Sequence, residues 1–338
     1  MMNAPLPLAV IIPAHNAAKT IAQCLTSVYQ SDTAPAQVII VDDGSTDCSA
    51  QIAAAFSCEI IRNPRRRGAA AARNTGAWAA RSEILFFLDA DILVPAHALR
   101  RMAEILKERP DLSAVFGSYQ KETLPTNFVS IYKNLLHHYT HQTSAPEAAT
   151  FCGGFGAVRG SVFRELGGFD ETQRALEDVE FGYRMYRAGH RILLDKTLQF
   201  THTKRYTLFS LIKSDVFNRS IPWTKLMLRQ RIFRNDLNTK TNNILSVVLA
   251  GLIACMFPLA AVTPAGVVGL IGAAIPFVIL NAPFYGFVLK ERGLLFMLET
   301  IVMNWFTYLY SGIGFVLGLL EYSVEGSQKW LARHARPT

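Results

Sequence analysis

The chain has 338 residues, 50% of them hydrophobic, and a formal net charge of +8. That length holds one large domain or two ordinary ones, and the apolar share is high for a wholly soluble enzyme. The five cysteines show no CxxC or metal-ligand spacing, and the odd count fits reduced thiols with packing roles.

Met1 to Pro7 lacks the basic n-region of a signal peptide, and the apolar run Leu8–Ile12 is too short for an h-region. The front of the chain is therefore expected on the cytoplasmic side. Four short apolar runs follow one another: Leu8–Ile12, Val38–Val41, Ile60-Ile61 and Ile84–Leu88. Each precedes a helix-like stretch, respectively Ala17–Tyr29, Thr46–Phe56, Gly68–Ala80 and Ala96–Glu108. Strand–helix alternation of this kind predicts an α/β fold with a mostly parallel sheet, whose buried strands read as continuous apolar runs. Ligands of such sheets bind beyond the carboxyl ends of the strands. Polar clusters fall at those ends: Pro13, His15 and Asn16 after the first run, Asp42-Asp43-Gly44-Ser45 after the second, Asp89-Ala-Asp91 after the fourth. Further on, Arg65-Arg66-Arg67-Gly68 is a basic turn, Gly153-Gly154 and Gly167-Gly168 signal turns, and Glu177–Ala188 has helical periodicity.

From Lys204 to Lys240 there are nine Lys/Arg and two Asp, directly before the first long apolar run. This placement reads as a positive-inside flank of a membrane segment rather than a nucleic-acid surface. Leu208–Arg234 mixes apolar and basic residues and is expected to lie on the membrane surface as an amphipathic helix. Ile244–Val262, Val267–Leu289 and Leu294–Leu320 each approach or exceed the roughly 20 residues needed to cross a bilayer. The organisation expected is a catalytic domain at 1–205, a basic interfacial segment at 206–243, about three transmembrane helices at 244–320 and a tail at 321–338. Three spans would put the tail outside, whereas its Lys329, Arg333 and Arg336 favour the inside.

Two carboxylates one residue apart at a strand end, Asp89 and Asp91, can share Mg2+ or Mn2+, hard cations that take oxygen ligands and bridge to phosphate. Asp42 and Asp43 are placed to accept from a nucleoside, while Ser45, Thr46 and Asp47 read as helix caps. No GxGxxG follows the first strand, so a dinucleotide cofactor is not indicated. Glu177-Asp178 opens a helix, where acidic residues serve as dipole partners; a second carboxylate pair distant in sequence from the first can also supply a general base.

In order along the chain stand Ile-Ile-Pro-Ala-His-Asn (11–16), Val-Asp-Asp-Gly-Ser-Thr-Asp (41–47) and Ala-Ala-Arg-Asn-Thr-Gly (71–76). Phe-Leu-Asp-Ala-Asp (87–91), Gly-Gly-Phe-Asp-Glu (167–171) and Glu-Asp-Val-Glu-Phe-Gly-Tyr-Arg (177–184) complete the series. The set resembles the inverting glycosyltransferases of family 2. That resemblance implies a Rossmann-like GT-A domain followed here by an all-α transmembrane domain. It implies nucleoside contacts from Pro13, His15, Asn16, Asp42, Asp43 and Arg73, and diphosphate and metal binding by Asp89 and Asp91. Asp178 would be the catalytic base, Glu177 would position the acceptor, and Gly153 and Gly154 would admit the sugar or acceptor. His202, in Thr-His-Thr, is a candidate either to complete the Mn2+ or Mg2+ site or to be structural.

The expected activity is transfer from a nucleotide sugar, UDP-linked by resemblance, to a hydroxyl of a lipid or lipid-linked glycan at a bacterial inner membrane, without nucleic acid and with oligomerisation open. Transfer to a polyprenyl phosphate is the alternative; an anionic phosphate needs no base, so Glu177-Asp178 argues against it. A processive synthase would carry Gln-x-x-Arg-Trp, and Arg219-Ser-Ile-Pro-Trp223 has the wrong spacing. The reading from another class is a transporter or a non-catalytic nucleotide-sugar-binding membrane protein.

Overall fold

The computed structural model describes residues 6–231, 237 and 240–334, with residues 326–334 as backbone alone. The readings that fall on residues 1–5, on Arg234 and on Arg336 lie outside the described residues. The chain divides into two compact units, Met1–Arg205 and Tyr206–Thr338.

The elements of the first unit are β1 (Leu6–Ala14), α1 (Ile21–Tyr29), β2 (Pro35–Asp43), α2 (Ser49–Ala53), β3 (Glu59–Asn63), α3 (Ala69–Ala79), β4 (Ile84–Leu88), β5 (Ile92–Leu93) and α4 (Ala98–Glu108). They continue with β6 (Leu112–Tyr119), α5 (Phe128–Gln142), β7 (Glu147–Ala148), β8 (Phe155–Arg159), α6 (Gly160–Glu165), α7 (Glu177–Arg187) and β9 (Arg191–His202). The sheet runs β3-β2-β1-β4-β8-β6-β9, with β5 and β7 also paired to β9. The first four strands are parallel, as the strand–helix alternation predicts. β8 then enters antiparallel between β4 and β6.

The alternate residues of β1 face different layers. Leu8, Val10 and Ile12 join Leu25 and Val28 of α1 and Leu99, Met102 and Leu106 of α4 in the larger core. On the other face, Ile39, Val41 and Ala72 form a second, smaller cluster under α3. The small side chains of α3 bring its backbone close to the sheet: a Cβ on Gly76 would stand 2.6 Å from the Ile11 Cγ2. This close seat carries Arg73 and Asn74 under the strand ends. Beside it, Phe87, Phe163, Phe169 and Phe181 pack ring to ring at centroid separations of 5.0–5.4 Å and fix α6 and α7 against β4. Such contacts add to the burial of large rings.

The second unit comprises α8 (Leu208–Asp215), a π-helical turn at Val216–Ser220, α9 (Ile221–Gln230), α10 (Thr241–Ala260), α11 (Pro264–Arg292) and α12 (Leu294–His334). Thr207 and Ser210 form a reciprocal cap at the start of α8, satisfying N–H groups that the first turn leaves open. The last three helices are long and apolar enough to cross a membrane. α12 continues to His334, so residues 321–334 prolong a helix rather than form a separate tail.

Leu208–Gln230 is apolar on two sides. Val216 and Ile221 are buried against Tyr310 and Phe306 of α12, while Phe209 and Phe217 are 77% and 61% exposed. Gly314 and Gly318 make the seam possible, because a Cβ there would lie 2.6 Å from Ser220 Cβ and 2.8 Å from Thr224 Cβ. Small residues four apart let helix backbones approach in this manner. Lys225 pairs with Glu321 at 3.0 Å and with Glu325 at 2.5 Å along the same contact. Between α10, α11 and α12, Asn281 donates to Ser246 Oγ (2.9 Å) and Asn304 donates to Asn281 Oδ1 (3.2 Å) and Tyr285 OH (3.1 Å). The buried amides are thereby satisfied within an apolar bundle.

Candidate active site

β1 and β2 end side by side, with Ala14 opposite Asp42. Asp42 Oδ1 accepts from the Ser45 N–H at 3.0 Å. Asp43 is 3% exposed, and both its oxygens are committed. Oδ1 accepts from Asn63 Nδ2 (2.8 Å) and the Arg67 N–H (2.9 Å), and Oδ2 from the Gly68 N–H (2.7 Å). Asp43 thus anchors the loop from β3 and the start of α3, where the resemblance implies a nucleoside contact. Gly44, at φ +69°, lets that loop close, since a Cβ would meet the Arg66 nitrogen at 2.7 Å.

His15 Nδ1 donates to the Asp43 carbonyl at 2.9 Å, which leaves Nε2 as an acceptor on the rim. Asn16, exposed and at φ 52°, accepts at Oδ1 from the Thr46 N–H at 2.9 Å. Asp47 accepts from the Ser49 N–H (3.0 Å) and the Ala18 N–H (3.1 Å), so it serves the loops and the start of α2. Pro13 sits within β1, half-buried.

Arg73 departs most from a nucleoside contact. Its side chain is 5% exposed, with one arm on Asp89 Oδ1 at 2.6 Å and the other on Glu177 Oε1. Burial alone would ease its proton off, but Asp89, Glu177 and Asp178 more than offset this and hold the charge firmly. Removing one member of such a buried set costs about 3–5 kcal/mol, because the remaining charge is left unpaired. The pairing spans 104 residues and is therefore invisible to local pattern. Sequence reasoning also missed Asn74, whose Nδ2 donates to the Phe169 carbonyl (2.8 Å) while its Oδ1 accepts from the Phe169 N–H (2.9 Å). With the Arg67–Glu171 pair at 2.8 Å, it clamps the Gly167–Glu171 loop to α3. Its only signal was its place beside Arg73 in Ala-Ala-Arg-Asn-Thr-Gly.

Glu177 and Asp178 open α7 directly after Leu176, a non-glycine residue held at φ 62°. Backbone strain of this kind persists where the surroundings over-determine it. Asp178 Oδ2 accepts from the Gly153 N–H at 2.9 Å, and Oδ1 from the Val179 N–H at 2.8 Å. Burial chiefly, and then the charge of Glu177, push its carboxyl up to about 6, against the pull of Arg73 and those two N–H groups. Gly153 and Gly154 are closely flanked by the carboxylates: a Cβ would stand 3.0 Å from Asp178 Cβ in the first case and 2.7 Å from Asp89 Oδ2 in the second, so either side chain would have to shift. Cys152 next door stays a thiol, as burial, then the charge of Asp178, push it up to about 12.

Pairing of β5 with β9 sets Ile92 opposite His202 and brings the imidazole beside Asp91. His202 Nδ1 accepts from the Lys204 N–H (3.1 Å), which leaves its proton on Nε2, 3.8 Å from Asp91 Oδ1. In that tautomer His202 is a donor toward Asp91 or a phosphate oxygen, and it would ligate a cation only after losing the proton. Among the described residues, no group of three or more His, Cys, Asp or Glu converges as a prebuilt metal centre. Asp89 is drawn to Arg73, and that is the physical reason. A hard cation brought in with a diphosphate needs only one or two protein carboxylates. The half-exposed Asp91, with Asp89 beside it, fits that need, and the three carboxylates Asp89, Glu177 and Asp178 outweigh the single buried guanidinium, which leaves the pocket the negative charge to attract it.

Residues 9–167 match the family model described as Glycosyl transferase family 2. The chain is 29% identical over 225 residues to a pre-mycofactocin glycosyltransferase of Mycobacterium tuberculosis, a match covering 62% of this chain and 45% of the relative. It thus spans less than half the length of that relative. It is 27% identical over 230 residues to an O-antigen chain rhamnosyltransferase of Salmonella anatum, covering 63% of this chain and 72% of the other. Among solved structures, a mannosyltransferase from Pyrobaculum calidifontis in complex with GDP-Man and Mn2+ is similar at a TM-score of 0.53 and 18% identity, covering 94% of this chain and 89% of that one. The fold of the first unit is GT-A.

Proposed function

We propose that this chain, which carries a glycosyl transferase family 2 domain at residues 9–167, is a membrane-bound inverting enzyme. It moves a sugar from a nucleoside diphosphate donor to a hydroxyl of a lipid or lipid-linked glycan. The observation that carries the reading is the buried Arg73, which ion-pairs with Asp89 of the Asp89–Asp91 pair on one side and with Glu177, next to Asp178, on the other.

Asp178 takes the proton of an acceptor hydroxyl held near Gly153, and the oxygen attacks the anomeric carbon while the nucleoside diphosphate departs on the opposite side. Positioning supplies most of the effect, since oriented groups replace a chance encounter. Asp91 and Asp89 would hold Mn2+ or Mg2+, whose chemistry is to neutralise charge on the leaving diphosphate. His202 Nε2–H is posed to donate to the same oxygens. His15 and the Asn16–Thr46 rim would border the nucleoside. Three apolar helices and the basic residues between 204 and 240 support an acceptor at the cytoplasmic face of a membrane.

The test is to incubate membranes containing the full chain and Mn2+ with labelled UDP- and GDP-sugars and to identify the product by mass spectrometry. A labelled glycolipid with the sugar on a hydroxyl is the expected result. A water-soluble glycan, or sugar on a lipid phosphate formed equally by Asp178→Asn, would overturn the acceptor assignment.

A further inference from the structure

On the proposed reading, donor chemistry uses Asp89 and acceptor chemistry uses Asp178, and the charge of Arg73 is buried between them. We propose that Arg73 is a positioning residue that couples the two halves of the site, so that loading the donor side changes how the acceptor side is held. The inference rests on the glycosyl-transfer reading.

Three observations carry it. The guanidinium is buried and pairs directly with Asp89 and Glu177, with the charge of Asp178 acting on it as well. These partners differ in access: the Asp89 side chain is 38% exposed and the Glu177 side chain 10%. A ligand can therefore compete with Arg73 only for Asp89. Finally, Arg73 Nε has no hydrogen-bond partner among the described residues, although the residue is 4% exposed. It faces Gly153, where a Cβ would lie 3.5 Å from Nε and 3.0 Å from Asp178 Cβ.

The consequence follows from competition. A cation–diphosphate that draws on Asp89 loosens one arm of Arg73, and the guanidinium settles onto Glu177. That shift occurs against Gly153, whose N–H is bonded to Asp178. Donor binding is thus felt at the base without any contact between donor and base. Linkage makes the effect mutual: whatever weakens the hold of Glu177 on Arg73 tightens its hold on Asp89 and opposes the donor.

Glu177→Gln tests this, because it keeps the hydrogen bond and shape while removing the charge. Binding of UDP and of GDP, each with Mn2+, is measured by calorimetry on the purified full chain, with melting temperature recorded in parallel. We expect the tighter-binding nucleotide to be held about 3- to 10-fold more weakly by Glu177→Gln, and that loss to vanish in an Asp89→Asn background. A merely structural Arg73–Glu177 pair would lower the melting temperature and leave nucleotide affinity within about twofold. That result, or an equal loss in both backgrounds, overturns the coupling. Failure of the unaltered chain to bind either nucleotide would overturn the glycosyl-transfer reading and the coupling with it.

Discussion

At Asp178, burial and the neighbouring Glu177 favour the protonated acid, while Arg73 and two backbone N–H groups favour the carboxylate. The balance near 6 has a sign that can be measured. In the proposed role of base, Asp178 must be ionised to accept a proton, so kcat should fall about tenfold per pH unit below roughly 6 and level off above it. Asp178→Asn should remove that acid limb and lower kcat by about 10^2- to 10^4-fold, with nucleotide affinity kept. Gly153→Ala offers an independent check. Its methyl would stand 3.0 Å from Asp178 Cβ, and on the proposed reading displacing Asp178 should cut kcat by roughly 10- to 100-fold in a steady-state assay at saturating nucleotide sugar. Sequence could locate carboxylates at strand ends, because apolar runs end there. It could not say which were already spent. Asp43 gives both oxygens to loop N–H groups, and Arg73 reaches a partner more than a hundred residues away. Both facts belong to non-local packing.

Among the elements, β1, β2 and β4 were legible because buried parallel strands leave uninterrupted apolar runs, whereas β3, at the edge of the sheet, showed only Ile60-Ile61. β5 and β7, two residues each, leave no such trace, and the antiparallel entry of β8 depends on partners distant in sequence. α5 was not foreseen either; its run Phe128–Gln142 mixes buried polar and apolar residues. The seam between α9 and α12 shows how an element is held by what it lacks. Gly314→Leu would drive a side chain into Ser220, whose Cβ is 2.6 Å from the position of the added carbon. We expect a loss of about 1–3 kcal/mol, read as a lower melting temperature in detergent. An unchanged melting curve would mean that the two helices do not pack at this seam in solution.

For the molecule as a whole, composition separated a globular front from an apolar back, strand–helix alternation marked the front as α/β, and α10, α11 and α12 have the length and hydropathy for three spans. The full chain should therefore stay in the membrane pellet after an alkaline carbonate wash; release into the supernatant would contradict integral insertion. The buried Arg73 has a further consequence, for synthesis. Its second carboxylate lies at residue 177, so a nascent chain that has emerged only as far as Asp91 carries every donor-side carboxylate but would have to bury a cation with one partner missing. Such an intermediate should remain open. The candidate site would then close only once α7 has left the ribosome, while the first apolar helix, beginning at Thr241, is still to come.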